Sequence, residues 1–86
     1  MKTVEIYTKL NCPYCVKAKM LLDRKNVKYI EIRADLDPSC IEEMIEKSQG
    51  RKTFPQIFIN DVPIGGCDDL YALEQQGQLD KLLTNA

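Results

Sequence analysis

Two alternating stretches, VEIYT (Val4 to Thr8) and VKYIEIR (Val27 to Arg33), flank an amphipathic run that opens at CPYC. Alternation of apolar and polar residues, rich in β-formers, reads as half-buried strand. Between them Cys15, Ala18 and Leu22, with Leu21 alongside, share one helical face, while Lys17, Asp23 and Arg24 lie off it. Pro13 suits the first helical turn, where its missing N–H would have had no partner. A strand, a helix and a strand in this order make a right-handed crossover, so the two strands are expected to be parallel.

The rest of the chain extends this unit. DPSCIEEMIEKSQG starts a helix with Asp37 as N-cap and Pro38 at N1, carries an apolar stripe of Ile41, Met44 and Ile45, and offers Gly50 as terminator. PQIFI and VPIGG read as short strands joined at Asn60-Asp61 by a tight antiparallel hairpin. Asp68 and Asp69 open a third helix, and a short one follows from about Leu79 to Leu83. The order β-α-β-α-β-β-α, with that last short helix, predicts a three-layer α/β domain with a four-stranded mixed sheet. At 86 residues the chain is read as one domain, 1–86.

A formal net charge of −1 gives no electrostatic reason to expect nucleic acid or membrane as a partner. The chain has no histidine, which excludes Cys–His and Ser–His catalysis and any metal site needing imidazole. No apolar run approaches the ~18 residues that span a bilayer. Polar residues interrupt any signal-like stretch after Met1-Lys2, so a cytoplasmic protein is expected. In a reducing compartment, four cysteines point to redox chemistry, metal binding or packing.

The CxxC pair carries the chemistry. With Pro13 at N1, Cys12 is the N-cap and Cys15 is N3, so the Cys12 sulfur faces the amides of Tyr14 and Cys15. Those donors favour a thiolate. A free thiol has a pKa of about 8.5, and lowering it by about 3 units takes about 4 kcal/mol. A helix dipole supplies at most about 2 kcal/mol. Hydrogen bonds to sulfur and a cation must supply the rest, and Lys9 is the local cation. Cys15, one turn in on the apolar face, is expected to be buried. Cys12 would attack, and Cys15 would resolve the mixed disulfide. Half a zinc knuckle or two packed core thiols are the alternatives, although Cys40 and Cys67 are lone residues and no second close pair exists.

With the CxxC at a helix start, the chain resembles a thioredoxin-fold oxidoreductase. CPYC is similar to the glutaredoxin signature; thioredoxins carry Gly-Pro between the cysteines and a Trp before them, and this chain has no Trp. TFPQIFI (Thr53 to Ile59) resembles that family's Thr-Val-Pro segment, in which the proline is cis and faces the active cysteine. GGCDDL (Gly65 to Leu70) resembles its Gly-Gly-x-x-Asp segment. The resemblance spans essentially the whole chain and is nearest to small bacterial dithiol glutaredoxins. It departs at Phe54, where the family usually has Val.

The resemblance implies a thioredoxin fold, three-layer α/β/α, and a glutathione-dependent thiol–disulfide oxidoreductase serving redox homeostasis and electron donation. Glutathione is the implied co-substrate, with no metal. Glutathionylated or disulfide-bonded proteins are the implied partners, ribonucleotide reductase being a candidate, and the protein is expected to be a monomer. Cys12 and Cys15 would be catalytic. Lys9 would meet the glycine carboxylate of glutathione. The backbone of Phe54, between Thr53 and cis Pro55, would pair with the cysteinyl part. The γ-glutamyl carboxylate would sit on the amides of Cys67 and Asp68, with the Asp68 side chain, and Asp69 as a second acid, taking the ammonium. Tyr14 would pack on the peptide, and Gly66 would allow close approach. Arg51 and Lys52 would steer anions. On the residues alone, Lys9 is equally a solvated lysine, Asp68 and Asp69 are helix caps, and Pro55 is a strand-edge proline. Cys40 reads as packing, and Cys67 as open to a side reaction. Two other functions fit the family: an iron–sulfur cluster held between two protomers, or a thioredoxin-like reductant.

Overall fold

The computed structural model describes residues 3–83; residues 1–2 and 84–86 lie outside that description. Its elements run β1 (Val4–Thr8), α1 (Pro13–Arg24), β2 (Ile30–Arg33), a 3-10 turn (Ala34–Leu36), α2 (Pro38–Lys47), β3 (Gln56–Ile59), β4 (Val62–Gly65), α3 (Cys67–Gln75) and α4 (Leu79–Leu83). The strands lie in the order β2-β1-β3-β4. β1 pairs with β2 in parallel, with β3 antiparallel, and β3 with β4 antiparallel. This is the expected mixed sheet, and it is a thioredoxin fold.

Alternation along the strands divides the core in two. Val4, Ile6, Ile57 and Ile59 face Ala18, Leu21 and Leu22 of α1, Leu70 of α3 and Leu79 of α4. Tyr7 and Phe58 face the other way, onto Ala34 and Met44, with Ile41 and Ile45 of α2 against them. β3 is buried along its whole length because it lies inside the sheet and is covered on both sides. Pro63 sits in β4, an edge strand, where a missing N–H is tolerated. Among the described residues, no helix is long and apolar enough to cross a membrane.

Three boundaries differ from the sequence reading. β2 begins at Ile30 rather than Val27, because the Val27 N–H closes the end of α1 on the Leu22 carbonyl (3.3 Å) and Asn26 takes a left-handed φ of 58°. The 3-10 turn at Ala34–Leu36 carried no periodic signal. The left-handed residue ending α2 is Gln49 (φ 63°); Gly50 follows it and donates its N–H to the Ile45 carbonyl at 2.8 Å. Asp37 does cap α2, accepting from the Ser39 N–H at 2.9 Å. Asn60 and Asp61 both have positive φ, the signature of a type I′ hairpin turn.

Candidate active site

Cys12 is the N-cap of α1, in extended backbone, with Pro13 in the first turn. Its Sγ accepts the Cys15 N–H at 3.2 Å. Tyr14, also expected as a donor, is not engaged; among the described residues the donor to the Cys12 sulfur is the Cys15 amide. Cys12 and Cys15 form a disulfide, with Cα atoms 5.2 Å apart, well inside the range a bridge requires. Cys12 is 8 % exposed and Cys15 only 2 %, so Cys12 is the more accessible of the two. No acid occupies the first turn of α1 to oppose an anion there.

Two contacts fix that turn. Asp35, held in a fork by the Arg33 guanidinium, accepts the Leu10 N–H at 3.3 Å and so ties the loop before Cys12 to the end of β2. On the opposite side the Tyr71 hydroxyl donates to the Lys17 carbonyl at 3.0 Å, locking α1 against α3.

Beside Tyr14 runs a groove walled by Tyr14, Arg51, Thr53, Phe54, Pro55, Gly66, Cys67, Asp68 and Asp69. All nine of these were singled out in the sequence, and they meet in one place. Lys9 stands outside the wall, with its Nζ 5.6 Å over the centroid of the Phe54 ring. Lys52, paired with Arg51 in the sequence reading, is not in the wall.

The Phe54–Pro55 bond is cis, as the resemblance implied. The turn before it is held from below: the buried Gln56 side chain donates to the Thr53 carbonyl (3.0 Å) and hydroxyl (2.9 Å). Gly66, the N-cap of α3, sits close to the cis-proline turn: a Cβ there would lie 3.3 Å from the Pro55 carbonyl oxygen, a tight contact. The groove thus joins the cis-proline turn to the start of α3.

At that start the two acids divide. Asp69, at N3, accepts the Gly66 N–H at 2.9 Å and the Arg51 guanidinium at 3.1 Å, and these contacts hold its carboxyl below the ordinary range. It caps α3 and stays half-exposed at the groove wall. Asp68 is exposed and makes no hydrogen bond or ion pair among the described residues. Burial pushes the Cys67 thiol up, against the pull of Lys17 and with a further push from Asp68. Cys40 packs half-buried against the second core.

Arg51 was expected beside the groove and lies in its wall, whereas Gly65 as the more constrained glycine was not singled out. The acid three residues after the N-cap was a readable signal for the Asp69 cap. The Arg51–Asp69 pair was not foreseen, because its partners lie 18 residues apart.

A dithiol pair at a helix start on a thioredoxin fold defines a thiol–disulfide oxidoreductase. Residues 4–64 match the glutaredoxin family model. The chain is 57 % identical over 83 residues to Glutaredoxin 3 of Escherichia coli (strain K12), covering 96 % of this chain and 99 % of that one. It is 55 % identical over 84 residues to Glutaredoxin 1 of Rickettsia prowazekii (strain Madrid E), covering 96 % and 88 %. Among solved structures, a glutaredoxin from Brucella melitensis superposes with a TM-score of 0.82 at 57 % identity, over 94 % of this chain and 87 % of that one. A buckwheat glutaredoxin–glutathione complex superposes at 0.85 with 28 % identity, over 95 % and 76 %. The chain belongs to the glutaredoxin family.

Proposed function

We propose that this oxidoreductase depends on glutathione and reduces protein–glutathione mixed disulfides with Cys12 alone, and protein disulfides with Cys12 and Cys15 together. The Cys12 thiolate attacks the glutathionyl sulfur. The protein sulfur leaves as a thiolate and takes up a proton, and the glutathionyl group stays on Cys12. A second glutathione, as thiolate, attacks that group, giving glutathione disulfide and returning Cys12. With a protein disulfide, the Cys12 thiolate attacks one sulfur and releases the other as a thiol, forming a mixed disulfide; Cys15 then attacks the Cys12 sulfur, releases the second protein thiol and leaves the Cys12–Cys15 bridge. Two glutathiones then reduce the bridge.

The observation that carries this reading is a groove beginning beside the CxxC turn and ending at a helix N-terminus. Glutathione has an anionic group at each end. Lys9 would meet the glycine carboxylate, and the backbone of Thr53 and Phe54 the cysteinyl unit. The amides of Cys67 and Asp68 would hold the γ-glutamyl carboxylate, and the Asp68 side chain its ammonium. Tyr14, 58 % exposed, would lie over the peptide. That a buckwheat relative is solved with glutathione supports the ligand class. A reducing compartment such as the cytoplasm, and action as a monomer, suit this cycle.

The test is a coupled assay with glutathione, its reductase and a glutathionylated peptide. Cys12→Ser is expected to abolish turnover. Cys15→Ser is expected to keep deglutathionylation and lose reduction of protein disulfides. An active Cys12→Ser enzyme would reverse the assignment.

A further inference from the structure

Lys9 follows the end of β1 and is exposed, so nothing in its own backbone keeps its ammonium near the groove. No carboxylate pairs with it among the described residues. What it does meet is the Phe54 ring, 5.6 Å from Nζ to the centroid. The negative face of an aromatic ring attracts a cation at that range.

The ring is itself anchored. Phe54 packs against the buried cluster of Tyr7, Ala34, Met44 and Phe58, beneath the sheet. It also contributes to the groove wall, immediately before Pro55. One residue therefore touches three things: the core, the groove and the cation beside it. An aliphatic side chain at this position could fill the same space against the core, but it would give Lys9 no π face.

We propose that the Phe54 side chain is a positioning residue for substrate, holding the Lys9 ammonium at the groove so that it meets a peptide carboxylate with its rotamers already restricted. Binding then avoids part of the ordering a free lysine would undergo. This inference rests on the glutathione reading given above.

Two measurements test it. In nuclear magnetic resonance spectra of the reduced, ligand-free protein, the ring is expected to shift the Lys9 side-chain methylene protons upfield, and Phe54→Leu is expected to remove the shift. In steady-state assays, Phe54→Leu is expected to raise KM for a glutathionylated peptide about two- to five-fold, with the effect on KM rather than kcat. Lys9→Gln is expected to raise KM as well, and Phe54→Leu to add nothing in the Lys9→Gln background. A Lys9 shift that Phe54→Leu leaves unmoved, or an equal KM effect in both backgrounds, would overturn the proposal. Those results would leave the glutathione reading standing, whereas a wild-type enzyme indifferent to glutathione would remove both.

Discussion

Gly65 has a φ of +118°, and a Cβ at that position would run into the Asp69 carboxylate and lie 2.7 Å from Arg51 Nη1. Gly65→Ala is therefore expected to strain the backbone and push Asp69 off the Gly66 amide, costing about 1–3 kcal/mol. Urea unfolding would measure it. Gly50→Ala, at a φ of +102° but with nothing within 4 Å, should lose less; an equal loss at both sites would show that crowding at Gly65 is unimportant. The sequence singled out Gly66 for close approach of a ligand and gave no sign that its neighbour is the stricter position. Two adjacent glycines look alike until the guanidinium and carboxylate packed over one of them are placed. Cys12 and Pro13 are the opposite case. Their capping role follows from residue type and spacing, with no tertiary partner needed.

Helix starts were more readable than helix ends. Asp37 and Pro38 announce α2, and Asp37 accepts from both the N–H and the hydroxyl of Ser39. Asp37→Ala is expected to lower stability by about 1 kcal/mol in thermal unfolding and to leave turnover intact, because α2 packs on the face of the sheet away from α1 and α3. A loss of activity in the folded variant would contradict that separation. Ends are less readable because the left-handed position can fall to a residue other than glycine. Asn26, Gln49 and Gly77 fill it in the three longer helices, and only the last would be guessed from residue type. β2 was overextended for the same reason: Val27 alternates like a strand residue but serves as a helix stop. The β-α-β crossover and the Asn60-Asp61 hairpin were readable because each is local. The pairing of β1 with β3 joins segments about 50 residues apart, so periodicity alone cannot choose it.

At the scale of the molecule, charge and burial set a pH range. Asp35 is held down at about 2, first by its hydrogen bonds from Arg33. Asp37, Glu31 and Asp69 are also lowered, chiefly by Ser39, Lys19 and the Gly66 amide respectively. Carboxylates depressed in the folded state take up protons first in the unfolded chain, near pH 4. The stability they contribute is present above that pH and should fall as pH drops toward about 2. Tyr7 goes the other way, pushed up to about 12 by burial and by its hydrogen bond to Glu43. Its contribution should hold up to about pH 10, where the unfolded chain deprotonates, and decline toward 12. With no histidine, and with Cys12 and Cys15 bridged so that neither titrates, the stability of the oxidised protein should be level from about pH 5 to 8. Guanidinium unfolding midpoints across pH would show a plateau with two shoulders, and a step near pH 6.5 would contradict the assignment. The groove is the feature least readable from local pattern, since it joins α1, the turn before β3 and the start of α3; only the resemblance to a known family brought those segments together beforehand. On the proposed reading all three serve the Cys12 sulfur, whose ultraviolet absorbance in the reduced protein can be titrated. A thiolate midpoint at least a unit below the ~8.5 of free cysteine is expected, while a midpoint at or above that value would mean that the helix start does not activate the thiol.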